Sequence, residues 1–236
     1  MDFVLEDIAV DDGPVLYVVR PEKPNGAGVL YLHWFDEAPN ANRTQFLEEA
    51  EILAGAGVTA VLPQLTFPWQ TPPTDTTNDL VRIRAEVAGI RDTFADLSEL
   101  ERVDPSRLAL VGHDFGAMHG MALFGEVEMA AAVLIAPTPR WSDWFLRFWP
   151  IDADRYDYMR ALSEVDPIST VTAATCPLLF QFGMTDFYIA AMTGLELFEA
   201  APEPKEIVSY DCGHEMDLAG IRTDRIAFLS GRLGLD

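Results

Sequence analysis

Apolar runs and amphipathic stretches alternate along most of this 236-residue chain. Short runs rich in Val, Leu and Ala predict buried strands, and longer stretches with apolar residues at helical spacing predict the helices between them. This alternation is typical of a mostly parallel sheet covered by helices on both faces, so the chain is predicted to belong to the α/β class. The predicted strands are 2–10, 15–20, 29–32, 58–62, 108–111, 131–136, 178–182 and 206–210.

Two segments interrupt the alternation. Residues 64–78 are rich in Pro and Thr, which predicts a loop. Residues 137–176 follow a predicted strand and are long enough to form a small cap. We therefore expect one domain, 1–236, with 137–176 as a short cap-like insertion. The predicted helices outside these segments are 45–55, 79–100, 194–200 and 222–232.

The turn after the fifth predicted strand carries the clearest chemical signal. The strand Leu108–Val111 runs into Gly112-His113-Asp114-Phe115-Gly116. Flanking glycines permit a sharp strand-to-helix turn, a nucleophile elbow, which projects one side chain above the sheet in front of a helix N-terminus. Asp114 occupies the projecting position. A carboxylate there can act as a nucleophile, although Asp is also a common turn residue, so a structural role stays open.

Two further polar residues follow predicted strands later in the chain. Asp186 comes after the strand 178–182, and His214 comes after the last one. The carboxyl ends of parallel strands meet at one edge of a sheet, so Asp114, Asp186 and His214 are expected to converge there as nucleophile, acid and histidine. Asp143 and Asp211 are alternative acids with a less favourable position relative to the strand ends.

These motifs resemble those of the α/β-hydrolase superfamily. The arrangement of Leu32-His33-Trp34-Phe35, Gly183-Met184-Thr185-Asp186 and Gly213-His214 is similar to the dienelactone-hydrolase branch. That branch carries Cys where this chain has Asp114. The elbow Gly-His-Asp-x-Gly is instead similar to that of epoxide hydrolases and of haloalkane or haloacetate dehalogenases, so the scaffold and the nucleophile point to different branches.

The resemblance implies a catalytic triad of Asp114, His214 and Asp186 that needs no metal or other cofactor. It also implies an oxyanion hole formed by the backbone N–H groups of Phe115 and Phe35. Both families named for the elbow use cap side chains to assist the leaving group: tyrosines protonate the epoxide oxygen, and indole N–H groups hold halide. The candidate substrate-binding residues are His33, Trp34, Trp141, Trp144, Trp149, Tyr156 and Tyr158.

Asp at the elbow limits the reactions that are possible. If a carboxylate attacked an ordinary ester, the adduct would expel the carboxylate, with a pKa of about 4, rather than an alkoxide, with a pKa of about 15. Attack on a carbon that bears halide, or on an epoxide carbon, avoids this competition and forms an alkyl-enzyme ester. The sequence therefore predicts a hydrolase of small halogenated compounds or epoxides. A dienelactone-hydrolase-like esterase and a non-catalytic ligand-binding protein are the alternatives.

The charge balance narrows the expected partners. Sixteen basic and 38 acidic side chains give a net charge of −22, which argues against nucleic acid and anionic membranes. The N-terminus has no basic segment followed by an apolar stretch, and no apolar run is long enough to span a bilayer, so a cytoplasmic location is expected. The expected partner is a small-molecule substrate, and a homodimer remains an open alternative.

Overall fold

The computed structural model describes residues 3–9, 15–34, 42–65, 76–148 and 154–235. Strands and helices alternate along these ranges. The strands are β1 Phe3–Ala9, β2 Val15–Pro21, β3 Gly28–Leu32, β4 Thr59–Pro63, β5 Leu108–His113, β6 Ala131–Ile135, β7 Leu178–Gly183 and β8 Lys205–Tyr210. The helices are α1 Leu47–Gly55, α2 Thr76–Glu99, α3 Phe115–Met121, α4 Trp141–Phe148, α5 Arg155–Leu162, α6 Pro167–Thr170, α7 Ala191–Ala200 and α8 Ala219–Leu233.

The eight strands form one sheet in the order β1-β2-β4-β3-β5-β6-β7-β8. β2 pairs antiparallel with both β1 and β4, and all pairings from β4 to β8 are parallel. Every residue of β3, β4, β5, β6 and β7 is buried, as expected for strands covered by helices on both faces. The predicted α/β-hydrolase fold class is confirmed.

The helices differ from the prediction mainly at their ends. α2 and α8 each begin three residues before the predicted start, at Thr76 and Ala219. The predicted cap-like segment 137–176 contains α4, α5 and α6. Asp154 begins α5 because its carboxylate accepts hydrogen bonds from the backbone N–H groups of Tyr156 and Asp157. Among the described helices, none combines the length and apolarity needed to cross a membrane.

A buried ion pair joins α1 to α8 beneath the carboxyl edge of the sheet. Arg225 donates from Nε and Nη2 to Glu49 Oε2, at 2.9 and 2.7 Å. The third nitrogen, Nη1, donates to Gln181 Oε1 of β7 at 3.2 Å. The Tyr31 hydroxyl donates to the other Glu49 oxygen at 3.3 Å. Helix α8, which follows His214, is thereby fixed to the central strands.

Candidate active site

The turn between β5 and α3 is a strained nucleophile elbow. Asp114 has φ 52° and ψ −117°, a conformation that L-residues rarely adopt and that costs about 1–3 kcal/mol. Its backbone N–H donates to Ile135 O at 2.8 Å, which holds the turn against β6. A Cβ on Gly116 would lie 2.6 Å from His33 O, and one on Gly112 would lie 2.6 Å from Ala117 Cα. Both flanking glycines are therefore required by close backbone approach.

The three side chains predicted as a triad meet above the sheet. His214 Nδ1 is 2.7 Å from Asp186 Oδ2, and His214 Nε2 is 3.6 Å from Asp114 Oδ2. The second Asp186 oxygen accepts hydrogen bonds from the backbone N–H groups of Tyr188 and Ile189, at 2.8 and 2.9 Å. Asp186 thus fixes the orientation of the imidazole, and the opposite nitrogen faces the carboxylate at the elbow.

The two carboxylates decide the charge of His214. Burial acts to lower its pKa, but the hydrogen bond to Asp186 and the charge effects of Asp114 and Asp186 outweigh burial and raise the pKa to about 9. The imidazole is therefore protonated at neutral pH. Its charge depends on Asp114, so any reaction that neutralises Asp114 makes His214 a stronger proton donor and easier to deprotonate.

Asp114 has a second partner in the cap-like segment. The indole Nε1 of Trp144, in α4, donates to Asp114 Oδ1 at 2.8 Å, and both side chains are buried. Within the described residues, the Asp114 side chain makes no capping hydrogen bond to α3. The two carboxylate oxygens therefore lie in different environments, with Oδ1 on the indole and Oδ2 facing the imidazole.

Aromatic rings surround these polar atoms. The ring of Trp34 stacks on His214 at 5.3 Å between centroids, and Tyr188 meets the same imidazole edge-on at 5.2 Å. Trp144 stacks on Phe115 at 5.2 Å and on Tyr188 at 5.8 Å. Asp114 is 1% exposed and His214 is 5% exposed, so this enclosure excludes most water from the reacting atoms.

Gln45 fixes the wall formed by Trp34 and His113. Its Oε1 accepts a hydrogen bond from Trp34 N at 2.8 Å, and its Nε2 donates to His113 Nδ1 at 2.6 Å. Burial, with smaller effects from the charges of His214 and Arg225, holds the pKa of His113 well below 6.5. His113 is therefore neutral and acts as a hydrogen-bond acceptor at Nδ1.

Several predicted substrate-binding residues have other partners. His33 Nε2 accepts from Leu65 N at 2.9 Å and its Nδ1 donates to Trp34 O at 2.7 Å, so this buried ring braces the loop after β3. The Trp141 indole donates to Val165 O at 2.9 Å. The Tyr158 hydroxyl donates to Asp79 at 2.7 Å.

The polar atoms of His33, Trp141 and Tyr158, which were predicted to bind substrate, are thus bonded inside the fold. Tyr156 is 79% exposed, and its backbone belongs to the first turn of α5. Trp34 and Trp144, by contrast, lie against the triad. Phe35 and Trp149 lie outside the described residues, so the predicted oxyanion donor of Phe35 has no structural account.

Two residues at the site were not singled out by the sequence analysis. Tyr188 packs on His214. It lies two residues after Asp186 in the loop 184–190 between β7 and α7, here called the acid loop. Because Asp186 was expected to contact the histidine, a residue so close to it could have been predicted to lie near the histidine as well. Gln45 lies in the predicted helix 45–55 and gives no sequence signal of its own. Its role depends on the distance between the end of β3 and the elbow.

A cavity of about 390 Å³ opens beside this wall, between the segment before α1 and the start of α8. Among the described residues its lining includes Trp34, Gln45, His113 and the ion-paired Arg222 and Arg225, and Asp114 does not line it. Within the same part of the chain, no group of His, Cys, Asp and Glu is arranged to hold a metal ion.

All sixteen lysines and arginines of the chain fall within the described ranges. None of these side chains forms a hydrogen bond or ion pair with Asp114, Asp186 or His214 there. Arg147 of α4 donates to the backbone oxygens of Phe187 and Tyr188, each at 3.2 Å, and thereby ties the cap-like segment to the acid loop.

Solved structures share the fold at low sequence identity. TT1662 from Thermus thermophilus is 18% identical with a TM-score of 0.74, and all of both chains is covered. The esterase domain of a Rhodothermus marinus protein is 17% identical with a TM-score of 0.69, covering 98% of this chain and 97% of that one. A candidate dienelactone hydrolase from Klebsiella pneumoniae is 16% identical with a TM-score of 0.68, covering 98% of each chain.

The comparison with curated proteins found no match. A sequence profile described as the alpha/beta hydrolase family matches residues 25–223, which include the elbow, the acid loop and the histidine. The strand order, the strained turn after β5 and the positions of Asp186 and His214 agree with that match. The chain therefore belongs to the alpha/beta hydrolase family.

Proposed function

We propose that this protein is a hydrolase in which Asp114 attacks carbon and forms an alkyl-enzyme ester on a small, uncharged halogenated compound or epoxide. The observation that carries the proposal is the position of Asp114. Its carboxylate lies on the strained elbow with Oδ2 3.6 Å from His214 Nε2, while Asp186 occupies the far nitrogen of that imidazole.

In the first step, the Asp114 carboxylate displaces the leaving group. One carboxylate oxygen forms a bond to the substrate carbon, and the carbon–halogen or carbon–oxygen bond breaks with its electron pair going to the leaving atom. This step needs an ionised carboxylate and no deprotonated histidine. The protonated state of His214 at neutral pH is therefore compatible with it.

In the second step, water cleaves the ester. Alkylation removes the negative charge of Asp114, which is one of the two charges that raise the pKa of His214. The imidazole can then release its proton and accept one from water, and the resulting hydroxide attacks Asp114 Cγ. Asp186, 2.7 Å from His214 Nδ1, stabilises the imidazolium. Before alkylation, the charge of Asp114 keeps His214 protonated, so that His214 cannot act as a general base. Alkylation removes this effect.

The surroundings of Asp114 favour an uncharged substrate. Trp34, Trp144, Phe115 and Tyr188 supply apolar surface around the polar atoms. A haloacid carboxylate would meet two aspartates and a single imidazolium that both of them already contact, so a further cation would be needed to offset its desolvation and repulsion. Since no lysine or arginine pairs with the triad, the site supports neutral haloalkanes or epoxides over haloacids.

Trapping the ester tests the proposal. His214→Gln should be incubated with haloalkanes and epoxides, followed by intact mass measurement and peptide mapping. We expect an alkyl adduct on Asp114 in this variant and none in Asp114→Asn. A single turnover of the unaltered enzyme in H₂¹⁸O should place ¹⁸O in the Asp114 carboxylate and leave the product alcohol unlabelled.

Other results would favour the alternative functions. Turnover of activated esters that survives Asp114→Asn, with deamidation back to Asp excluded, would support an esterase. Ligand binding without turnover or adduct would support a non-catalytic binding protein. An ¹⁸O label in the product from the first turnover would show that water attacks the substrate directly, and the Asp114 mechanism would be abandoned.

A further inference from the structure

The cap-like segment presents one indole N–H to the nucleophile. Trp144 Nε1 donates to Asp114 Oδ1 at 2.8 Å, whereas Trp141, three residues earlier in α4, donates to Val165 O inside the cap-like segment. Trp144 is 6% exposed and its ring is packed on Phe115, Phe148 and Tyr188. A buried donor held by three rings stays in place while the carboxylate reacts.

The indole distinguishes the two oxygens of Asp114. Oδ1 accepts a hydrogen bond, which stabilises its charge and makes it the weaker nucleophile of the pair. Oδ2 makes no hydrogen bond to His214 Nε2, which lies 3.6 Å away, and is the oxygen that the indole leaves available to attack. Attack by Oδ2 leaves Oδ1 as the carbonyl oxygen of the ester, still within reach of the indole.

Resting on the proposed function, we infer that Trp144 is a catalytic residue of the ester-cleavage step and that its N–H forms part of the oxyanion hole. When water attacks Asp114 Cγ, a proton passes to His214 and the electron pair of the carbonyl bond moves to Oδ1. The charge then increases on the atom that Trp144 contacts. The adduct collapses by releasing the product alkoxide, which takes the proton back from His214. The second proton of the water, left on the new Asp114 carboxyl group, then passes to His214, which restores the carboxylate and the imidazolium of the resting site.

A donor for the leaving group would need a different position. The leaving atom departs from the face of the substrate carbon opposite the attacking oxygen, so the carbon, which lies about 3–3.5 Å from that oxygen in a reactive complex, stands between them. A donor 2.8 Å from the carboxylate itself is suited to charge on the carboxylate oxygen. Loss of an oxyanion donor should slow hydrolysis of the ester, whereas loss of a leaving-group donor should slow alkylation.

Single-turnover kinetics separate the two steps. Trp144→Phe removes the N–H and keeps an aromatic ring, and replacement by 3-benzothienylalanine removes the N–H and keeps the bicyclic shape. With His214 intact, we expect the alkyl adduct on Asp114 to accumulate in both variants and its hydrolysis to slow about 100-fold, the typical effect of losing one oxyanion donor. Alkylation should change only a few-fold.

The leaving group provides an independent readout. Chloro, bromo and iodo analogues of one substrate give the same ester, so loss of the N–H should slow hydrolysis equally for all three. Trp141→Phe, which removes an indole N–H from the same helix but leaves Trp144 in contact with Asp114, should not accumulate the adduct.

Slower alkylation that is most severe for chloride, with no accumulated adduct, would overturn the inference in favour of a leaving-group donor. Hydrolysis at the unaltered rate in both Trp144 variants would overturn it as well. If His214→Gln forms no adduct with any substrate, the proposed function itself fails, and this result is distinct from an adduct that forms but is cleaved normally without the indole.

Discussion

Asp114 Oδ2 and His214 Nε2 lie 3.6 Å apart, too far for a direct hydrogen bond and close enough for strong coupling of their charges. The ionised carboxylate helps to raise the pKa of His214 to about 9, against the opposing effect of burial. In the proposed function, alkylation of the carboxylate removes this interaction and frees His214 to act as a base.

The charge coupling between Asp114 and His214 predicts that the stability of the folded protein depends on pH. The pKa of His214 is about 9 in the folded protein and 6.5 in the free side chain, so the folded state binds this proton more tightly. The stabilising contribution of this proton to the free energy of unfolding is fully present below pH 6.5 and is lost as the pH rises from 6.5 to about 9. It corresponds to about 3 kcal/mol at most.

Urea unfolding at pH 6.0 and pH 9.5 measures this contribution. The free energy of unfolding should fall with pH in the unaltered protein and fall less in His214→Gln, which cannot titrate. The difference between the two proteins isolates His214 from the other titrating groups. An equal decline in both would mean that the folded state does not hold this proton more tightly.

The close backbone packing at the elbow predicts that adding one methyl group at Gly116 strongly destabilises the protein. In Gly116→Ala the new Cβ would lie 2.6 Å from His33 O, which is backbone and cannot rotate away. We expect a loss of about 1–3 kcal/mol in unfolding free energy and a loss of adduct formation, because α3 and Asp114 must shift. Gly89→Ala in α2 meets no atom within 4 Å and should stabilise by about 0.5–1 kcal/mol. Similar effects of the two substitutions would refute the close-approach argument.

The fold and the convergence of Asp114, Asp186 and His214 could be predicted because they depend on local patterns. The buried run Leu108–Val111 followed by two glycines around Asp114 identifies the elbow, and parallel strands carry Asp186 and His214 to the same edge. The direction of each cap side chain could not be predicted. Trp141 and Trp144 lie three residues apart in α4, yet one indole faces Val165 and the other faces Asp114.

The hydrogen-bond partner of His33 also could not be predicted from the sequence. Its position directly after β3 fits an oxyanion-hole loop, but its Nε2 is used by Leu65 N, which follows the neighbouring strand β4. That contact depends on the distance between two strand ends rather than on any motif. The same limitation applies to Gln45, whose two partners come from β5 and from the end of β3.

The cation distribution predicts a preference between substrates. A haloalkane and a haloacid of similar size should differ strongly in kcat/KM, with the neutral compound preferred. The physical reason is that no arginine or lysine pairs with Asp114, Asp186 or His214, and the one imidazolium is already shared by two aspartates. Turnover of both compounds should be compared at low and high salt. Faster reaction of the haloacid at either ionic strength would contradict the electrostatic argument.

The proposed function predicts that Tyr188 assists only one of the two leaving-group chemistries. Its ring packs on His214 and Trp144, whereas the Tyr158 hydroxyl is bonded to Asp79. An epoxide oxygen needs a proton as the ring opens, and a halide does not. Tyr188→Phe should therefore slow alkylation by epoxides and leave alkylation by haloalkanes nearly unchanged, as measured by adduct formation in the His214→Gln background. Equal slowing of both would indicate that the tyrosine only shapes the pocket.

Neighbouring glutamates in α1 allow a test of the buried ion pair. Glu49 is 2% exposed and pairs with buried Arg225, while Glu48 is 71% exposed and pairs with Arg222. Glu49→Gln should lower the free energy of unfolding by about 3–5 kcal/mol, because it leaves the arginine charge buried without its counterion. Glu48→Gln should cost less than about 1 kcal/mol, because its pair is largely in solvent.

A double variant distinguishes an unpaired charge from lost packing. Replacing the pair by Glu49→Leu and Arg225→Met removes both charges and keeps apolar volume, so much of the stability lost in Glu49→Gln should return. Urea unfolding at pH 7 measures all four proteins, and the unaltered sequence gives the reference. If the double variant is less stable than Glu49→Gln, the hydrogen bonds to Tyr31 and Gln181 rather than the arginine charge carry the energy of this cluster.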